Sequence, residues 1–198
     1  MRVGCPWRDL PSIFGFWNSV YQQFNRWSSK NKLITIFKLL IEDPDLEWEF
    51  IDGSIVKAHQ HSIGAASDED EAIGKSVAGN TTKIHMAVDA CGLPIDFEIT
   101  GGEVHDCKVA LEFFAKLPDA DYMIIVLAKS FVPIIPRKSN SKTGNDDIDW
   151  GLYKYRHLVE NVFARLKHFR AIATRYDKLK RNYASMVALA CGYLWLPM

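Results

Sequence analysis

A chain of 198 residues with 48% hydrophobic and 12% aromatic side chains is long enough for one domain with a full core and too apolar for a disordered polypeptide. The formal net charge is zero, yet residues 129–198 carry 13 Lys and Arg against 5 Asp and Glu, and residues 1–128 carry 11 against 19. A basic C-terminal part beside an acidic remainder suits polyanion binding next to an acidic metal site, or else two complementary surfaces of one fold. Cys5, Cys91, Cys107 and Cys191 form no CxxC pair and have no histidine at zinc spacing, which argues against structural zinc and for reduced thiols in a cytoplasmic protein. The N-terminus has no apolar signal region, and the longest apolar run, Met186–Leu196, falls short of the roughly 20 residues that cross a bilayer, so no membrane partner is expected.

In chain order, residues 12–28 read as a helix, with Trp17, Val20, Tyr21, Phe24 and Trp27 at 3–4 spacing. Residues 31–42 make a second helix, closed by Glu42-Asp43-Pro44-Asp45, which marks the domain boundary: 1–43, then 44–198. Trp48–Asp52 reads as a short strand ending on Asp52-Gly53-Ser54, and 62–80 as a polar, mobile loop. Lys83–Asp89 and Pro94–Thr100 are strands joined by a hairpin turn, with Asp89 as a turn residue and His85 as a strand residue with a satisfied hydrogen bond. Lys108–Leu117 reads as a helix, Tyr122–Leu127 as a buried strand, Phe131–Ile135 as another strand and Ser139–Asp149 as a polar loop. A long helix around Glu160 and a buried C-terminal helix over Lys178–Leu196 complete a mixed α/β order without internal repeats.

The helix around Glu160 carries the most chemistry. At about 100° per residue, Tyr153, Arg156, Glu160 and Lys167 share one stripe, while Tyr155, Val159, Val162, Leu166 and Phe169 form the apolar stripe beside it. A carboxylate is thereby held between cations next to a buried face. Asp52, placed where a hydrophobic strand stops, is either a rigidly held metal ligand or an ordinary Asp-Gly-Ser turn residue. Asp52 and Glu160, from separate elements, would together meet the demands of metal-dependent phosphoryl chemistry.

These pieces carry a resemblance. Pro6-Trp7-Arg8-Asp9-Leu10-Pro11, Trp17–Trp27, Ile51-Asp52-Gly53-Ser54, Thr82-Lys83-Ile84-His85, Gly101-Gly102-Glu103-Val104-His105-Asp106, Tyr153 through Lys167 and Ile172–Lys178 follow in the order of a bacterial insertion-sequence transposase with a DDE active site. Nearly the whole chain is covered, and the Y-x2-R-x3-E-x6-K signature is the specific part. The resemblance implies an α/β fold, a ribonuclease-H-like mixed sheet flanked by helices, behind a short N-terminal helical segment. It implies that Asp52 is the first catalytic acid and metal ligand and Glu160 the last, with Mg2+ or Mn2+ as cofactor. Tyr153, Arg156 and Lys167 would grip DNA near the cleavage point. Arg170, Arg175 and Lys178 extend that basic tract toward phosphates, alongside Arg165, Lys180 and Arg181, unless the tract is a solvated helix face. Partners would be the terminal inverted repeats and target DNA, bound as a homodimer, at the nucleoid. His59 and His61 could touch the scissile phosphate, although a loop pair is the commoner outcome. Arg8, Gln22, Gln23, Asn25 and Arg26 could be the remnant of a helix-turn-helix reader.

Two departures matter. The chain starts almost on the Pro-Trp-Arg-Asp-Leu-Pro element, so part of the repeat-binding segment is expected to be missing. The family's middle aspartate should follow the Tyr122–Leu127 strand, but the sequence there is Ile125-Val126-Leu127-Ala128-Lys129-Ser130-Phe131. An internal deletion near 126–131 explains this, with Asp121, Asp119, Asp89 and Asp106 as weak substitutes. The expected function is a transposase with impaired strand cleavage and transfer. The alternatives are a non-catalytic DNA-binding remnant that competes with intact transposase, and a chain that folds poorly and does nothing.

Overall fold

The computed structural model describes residues 2–64, 70–105, 108, 109, 116, 122–124 and 150–196, with the side chains of 122–124, 152 and 153 outside that set. The expected strand at Phe131–Ile135, the loop at Ser139–Asp149, most of the Lys108–Leu117 helix, Asp106, Asp119, Asp121 and the point of the expected deletion lie outside the described residues.

The central strand is β1 (Trp48–Ala58). Antiparallel to it runs β3 (Gly79–Val88), with Phe50 opposite Val88 and Lys57 opposite Thr81. The other edge of β3 takes β4 (Pro94–Gly101) and, end to end with it, the short β2 (Gly74–Ser76). The other edge of β1 takes two parallel strands, β5 (Tyr122–Ile124) beside Trp48–Phe50 and β6 (Thr174–Arg175) beside Lys57–Ala58. An antiparallel meander extended by parallel strands on the edge of its first strand is the ribonuclease-H-like arrangement the sequence implied.

Alternation with period two puts Phe50 and Val56 of β1, Ile84, Met86 and Val88 of β3, and Phe97 and Ile99 of β4 into the core. Two helices cover that core: α4 (His157–Lys167) through Val159, Val162, Phe163 and Leu166, and α6 (Lys180–Trp195) through Tyr183, Val187, Ala188 and Cys191. The β3–β4 turn works as read: Asp89 Oδ1 accepts the Leu93 N–H at 2.7 Å, and Gly92 supplies a φ of 76°. His85 is buried, with Nε2 2.9 Å from Thr100 Oγ1. Among the described residues no helix is long and apolar enough to cross a membrane.

The N-terminal helices α1 (Trp17–Ser29) and α2 (Lys32–Leu40) are not a separate body. α2 packs on α6, and Phe37 belongs to the same cluster as Phe50 and Ile84. The acidic segment at 42–45 lies between α2 and β1, whose Phe37 and Phe50 pack in one cluster. The helix expected from residue 12 begins at Trp17, because Gly15 adopts a φ of 95° after a short 3-10 turn over Ser12–Phe14.

Three further expectations change. β1 runs through Asp52 to Ala58, since Gly53 and Ser54 pair regularly with His85 and Ile84 instead of turning. The 62–80 segment contains β2, with only 65–69 outside the described residues. The helix around Glu160 is not continuous from Tyr153: α3 (Trp150–Tyr153) passes through a 3-10 turn over Lys154–Arg156 into α4. A 3-10 turn holds three residues, so the 100° stripe does not carry back across it. Tyr155, assigned to the apolar stripe, is 50% exposed and packs edge-on against Trp48. Beyond α4, a short α5 (Arg170–Ala173) leads into β6; neither was expected.

Candidate active site and nucleic-acid interface

Even-numbered residues of β1 share one face, so Asp52 and Ser54 lie between the core residues Phe50 and Val56 and point to the layer containing α4. The 24% exposure of the Asp52 side chain leaves it reachable from solvent. Its carboxylate is fixed from two sides. The Gly53 N–H donates to Oδ1 at 2.9 Å, and Arg156 Nη2 donates to Oδ2 at 2.9 Å. The same guanidinium reaches Glu160, with Nε 4.0 Å from Oε1. About two turns further along α4, Lys167 Nζ donates to Ser54 Oγ at 2.8 Å. Of the residues read from helical spacing, Arg156 meets Asp52 across the gap between strand and helix, Glu160 is linked to it through Arg156, and Lys167 meets the neighbouring Ser54. Ser54 was not singled out, although its place two residues after Asp52 on the same strand face was a usable signal. The Tyr153 side chain lies outside the described residues.

Chemically, this is two carboxylates bridged by one cation. Arg156 and Glu160 are 40% and 58% exposed, so the ion pairs are screened and contribute on the order of 1 kcal/mol or less. The bridge is easily exchanged. Carboxylate oxygens plus water and phosphate oxygens match a hard divalent cation, and Asp52 and Glu160 are the residues that could hold one. Among the described residues no group of three or more His, Cys, Asp or Glu comes together to hold a metal ion.

The basic tract divides. Arg165, Lys167, Arg170 and Lys178 are exposed, with Lys178 Nζ also donating to the Gly64 carbonyl at 3.1 Å. Lys180 turns to Glu98 at 3.0 Å, and Arg181 Nη2 to Asn25 Oδ1 at 3.2 Å. Arg175, expected as a DNA contact, is instead fully buried, with 0% exposure. Its guanidinium donates to the carbonyls of Glu71, Ala72, Asp177 and Lys178 and to Thr82 Oγ1, and lies 5.0 Å from the centre of the Tyr183 ring. Burial pulls its pKa below the usual arginine range. With its donors spent on protein oxygens, it has nothing to offer a phosphate. Glu49, on the opposite face of β1 from Asp52, is fully buried, neither carboxylate oxygen has a hydrogen-bond partner among the described residues, and burial pushes its pKa up to about 7. Nothing local in Trp48-Glu49-Phe50 signals that.

His59 and His61 do not approach Asp52. They close the far end of β1, with the His61 N–H donating to His59 Nδ1 at 3.3 Å and the His59 ring stacked on Tyr176 at 4.5 Å.

A ribonuclease-H-like sheet that carries a strand carboxylate opposite a helix carboxylate, with basic side chains alongside, defines a class. The family model described as "Transposase DDE domain" matches residues 50–132 and 135–195, and "Putative transposase of IS4/5 family" matches residues 1–37. The chain belongs to the DDE-domain transposase family, whose members use divalent metal ions. Within that family it is an insertion-sequence transposase. A curated relative from Brucella ovis, "Putative transposase for insertion sequence element IS6501", is 35% identical over 128 residues, covering 59% of this chain and 98% of the relative. "Uncharacterized protein y4sN" from Sinorhizobium fredii is 42% identical over 64 residues, covering 32% of this chain and 51% of that one. No solved structure matches.

Proposed function

We propose that this transposase binds the terminal inverted repeats of its element and target DNA as a homodimer at the nucleoid, and that its strand cleavage and transfer are impaired. Within it, residues 1–43 contribute to reading the repeat and 44–198 form the core that meets the reacting strand. The observation that carries the reading is the single Arg156 guanidinium held between Asp52 and Glu160, with the Lys167–Ser54 contact beside it. Asp52 is the first metal-holding acid and Glu160 the last, for Mg2+ or Mn2+. Such ions, when bound, activate the attacking oxygen and stabilise the leaving one. Arg156 keeps the two carboxylates facing one point. Lys167, with Arg170 and Lys178 further along, supplies the charge that replaces phosphate counterions.

The impairment follows from the sequence after β5: Ile125 to Phe131 contains no carboxylate. Two acids leave the ions under-coordinated and the nucleophile poorly placed. That same stretch favours a second reading, a non-catalytic DNA-binding remnant that competes with intact transposase.

Binding is tested by titrating salt against affinity for terminal-repeat DNA. Lys167→Ala and Arg170→Ala should each lower the magnitude of the log–log slope by about one and leave the melting temperature in place. A slope unchanged in the double variant would remove these residues from the interface.

A further inference from the structure

Tyr176, His59 and His61 form a ring cluster that the metal site does not use. The Tyr176 and His59 rings stack at 4.5 Å and 26°, and the His59 and His61 rings lie 4.8 Å apart. Tyr176 is 52% exposed and His61 is exposed. Rings packed only to stabilise the fold would gain more by being covered. The cluster is also rigidly mounted. Tyr176 follows Arg175, which is anchored in the core, and the His59 N–H donates to the Arg175 carbonyl at 2.9 Å. On the other side the His59 carbonyl accepts from Ser62 Oγ at 2.6 Å. The exposed amines of Lys57 and Lys178 flank the rings in sequence, and Lys178 is tied to Gly64 at the end of the histidine turn. An exposed, preorganised aromatic platform between cations matches a polymer with flat bases and a phosphate backbone.

We propose that the Tyr176–His59–His61 cluster is a stacking site for an unpaired nucleobase of bound DNA. The proposal rests on the DNA-binding reading above and deepens it. At about 3.3 Å per residue, the six residues from Asp52 to Ala58 at the end of β1, just before His59, place this site about 20 Å from the metal site. It therefore holds a splayed strand several nucleotides away from the reacting phosphate and takes no part in the chemistry.

The test uses the full chain and two probes: a blunt duplex, and the same duplex with a single-stranded tail of about ten nucleotides. Fluorescence anisotropy is read at low and at high salt. The tailed probe should bind on the order of ten-fold more tightly, as one base on one aromatic ring allows. The preference should persist at high salt, because stacking releases no counterions. Tyr176→Leu, which keeps bulk without a π face, should abolish the preference and leave blunt-duplex binding unchanged. Tyr176→Phe should retain it. If Tyr176→Leu lowers the melting temperature, His61→Ala at its exposed position should show a partial loss instead. A preference that survives Tyr176→Leu, or that vanishes with salt, overturns the stacking site while DNA binding stands. Failure to bind either probe overturns the DNA-binding reading itself and the stacking site with it.

Discussion

Arg175 offers the sharpest contrast between a cation seen in sequence and the same cation in the fold. Replacing it with alanine removes hydrogen bonds to Ala72 O at 3.1 Å, Thr82 Oγ1 at 2.7 Å, Asp177 O and Lys178 O at 2.9 Å each, and the Glu71 carbonyl. It also removes a cation from the Tyr183 ring. Bonds to a charged donor contribute about 1.5–3 kcal/mol each, so a simple sum overshoots. The desolvated guanidinium itself costs several kcal/mol, and that cost disappears with the side chain. The net loss should be about 3–5 kcal/mol, the range of a broken buried polar network. For a chain of this size that is a fall of roughly 8–15 °C in melting temperature. Arg175→Lys keeps the charge but not the planar fork and should fall between the two. The assay is a pair of measurements: calorimetric or circular-dichroism melting, and DNA affinity measured well below the variant's transition. Stability should drop and affinity should hold. An Arg175→Ala protein that melts like the parent but binds DNA with a shallower salt slope would refute the buried role and restore the phosphate contact.

The buried Glu49 makes stability depend on pH. Its folded pKa of about 7 lies above the ordinary glutamate value, so the native state keeps a proton that the unfolded chain gives up between about pH 4 and 7. Stability from this group is complete below that window, falls through it and stays low above it, by about 3 kcal/mol in all. Glu49→Gln should therefore raise the melting temperature at pH 8 and change it little at pH 4. Asp177, also raised by burial, to about 6, acts in the same direction and is present in both proteins, so the difference between the two pH profiles isolates Glu49. A pH profile unchanged by the substitution would show that Glu49 has a partner. Phe37→Ala should cost about 3–5 kcal/mol and broaden no transition, because α2 shares the sheet's core. Two separate transitions would instead make residues 1–43 an independent domain.

Much of the fold was legible where one residue pattern served one purpose. Alternating apolar residues gave β3 and β4, Asp89 and Gly92 gave their turn, and the apolar run from Met186 gave the C-terminal half of the buried stretch of α6. Of the candidate site, the sequence pattern made the placement of its side chains legible, because Glu160 and Lys167 repeat at helical spacing and Asp52 alternates with Phe50 and Val56. What escaped depends on distant partners. Arg175 looks like its basic neighbours until Glu71, Ala72 and Thr82 fold over it from a separate segment. The 3-10 turn at Lys154–Arg156 interrupts a helix without a proline or glycine to announce it. β2 and β6 are too short to carry a period; they exist because longer strands offer them an edge.

The central claim is that Asp52 and Glu160 are a preserved but incomplete metal site. Its most direct test is nicking and strand transfer on DNA carrying the element's terminal repeats, in Mg2+ and in Mn2+, with the parent chain beside Asp52→Ala. The account predicts salt-sensitive binding by both proteins and no product from the parent above the Asp52→Ala background. Robust turnover by the parent that Asp52→Ala abolishes would contradict it.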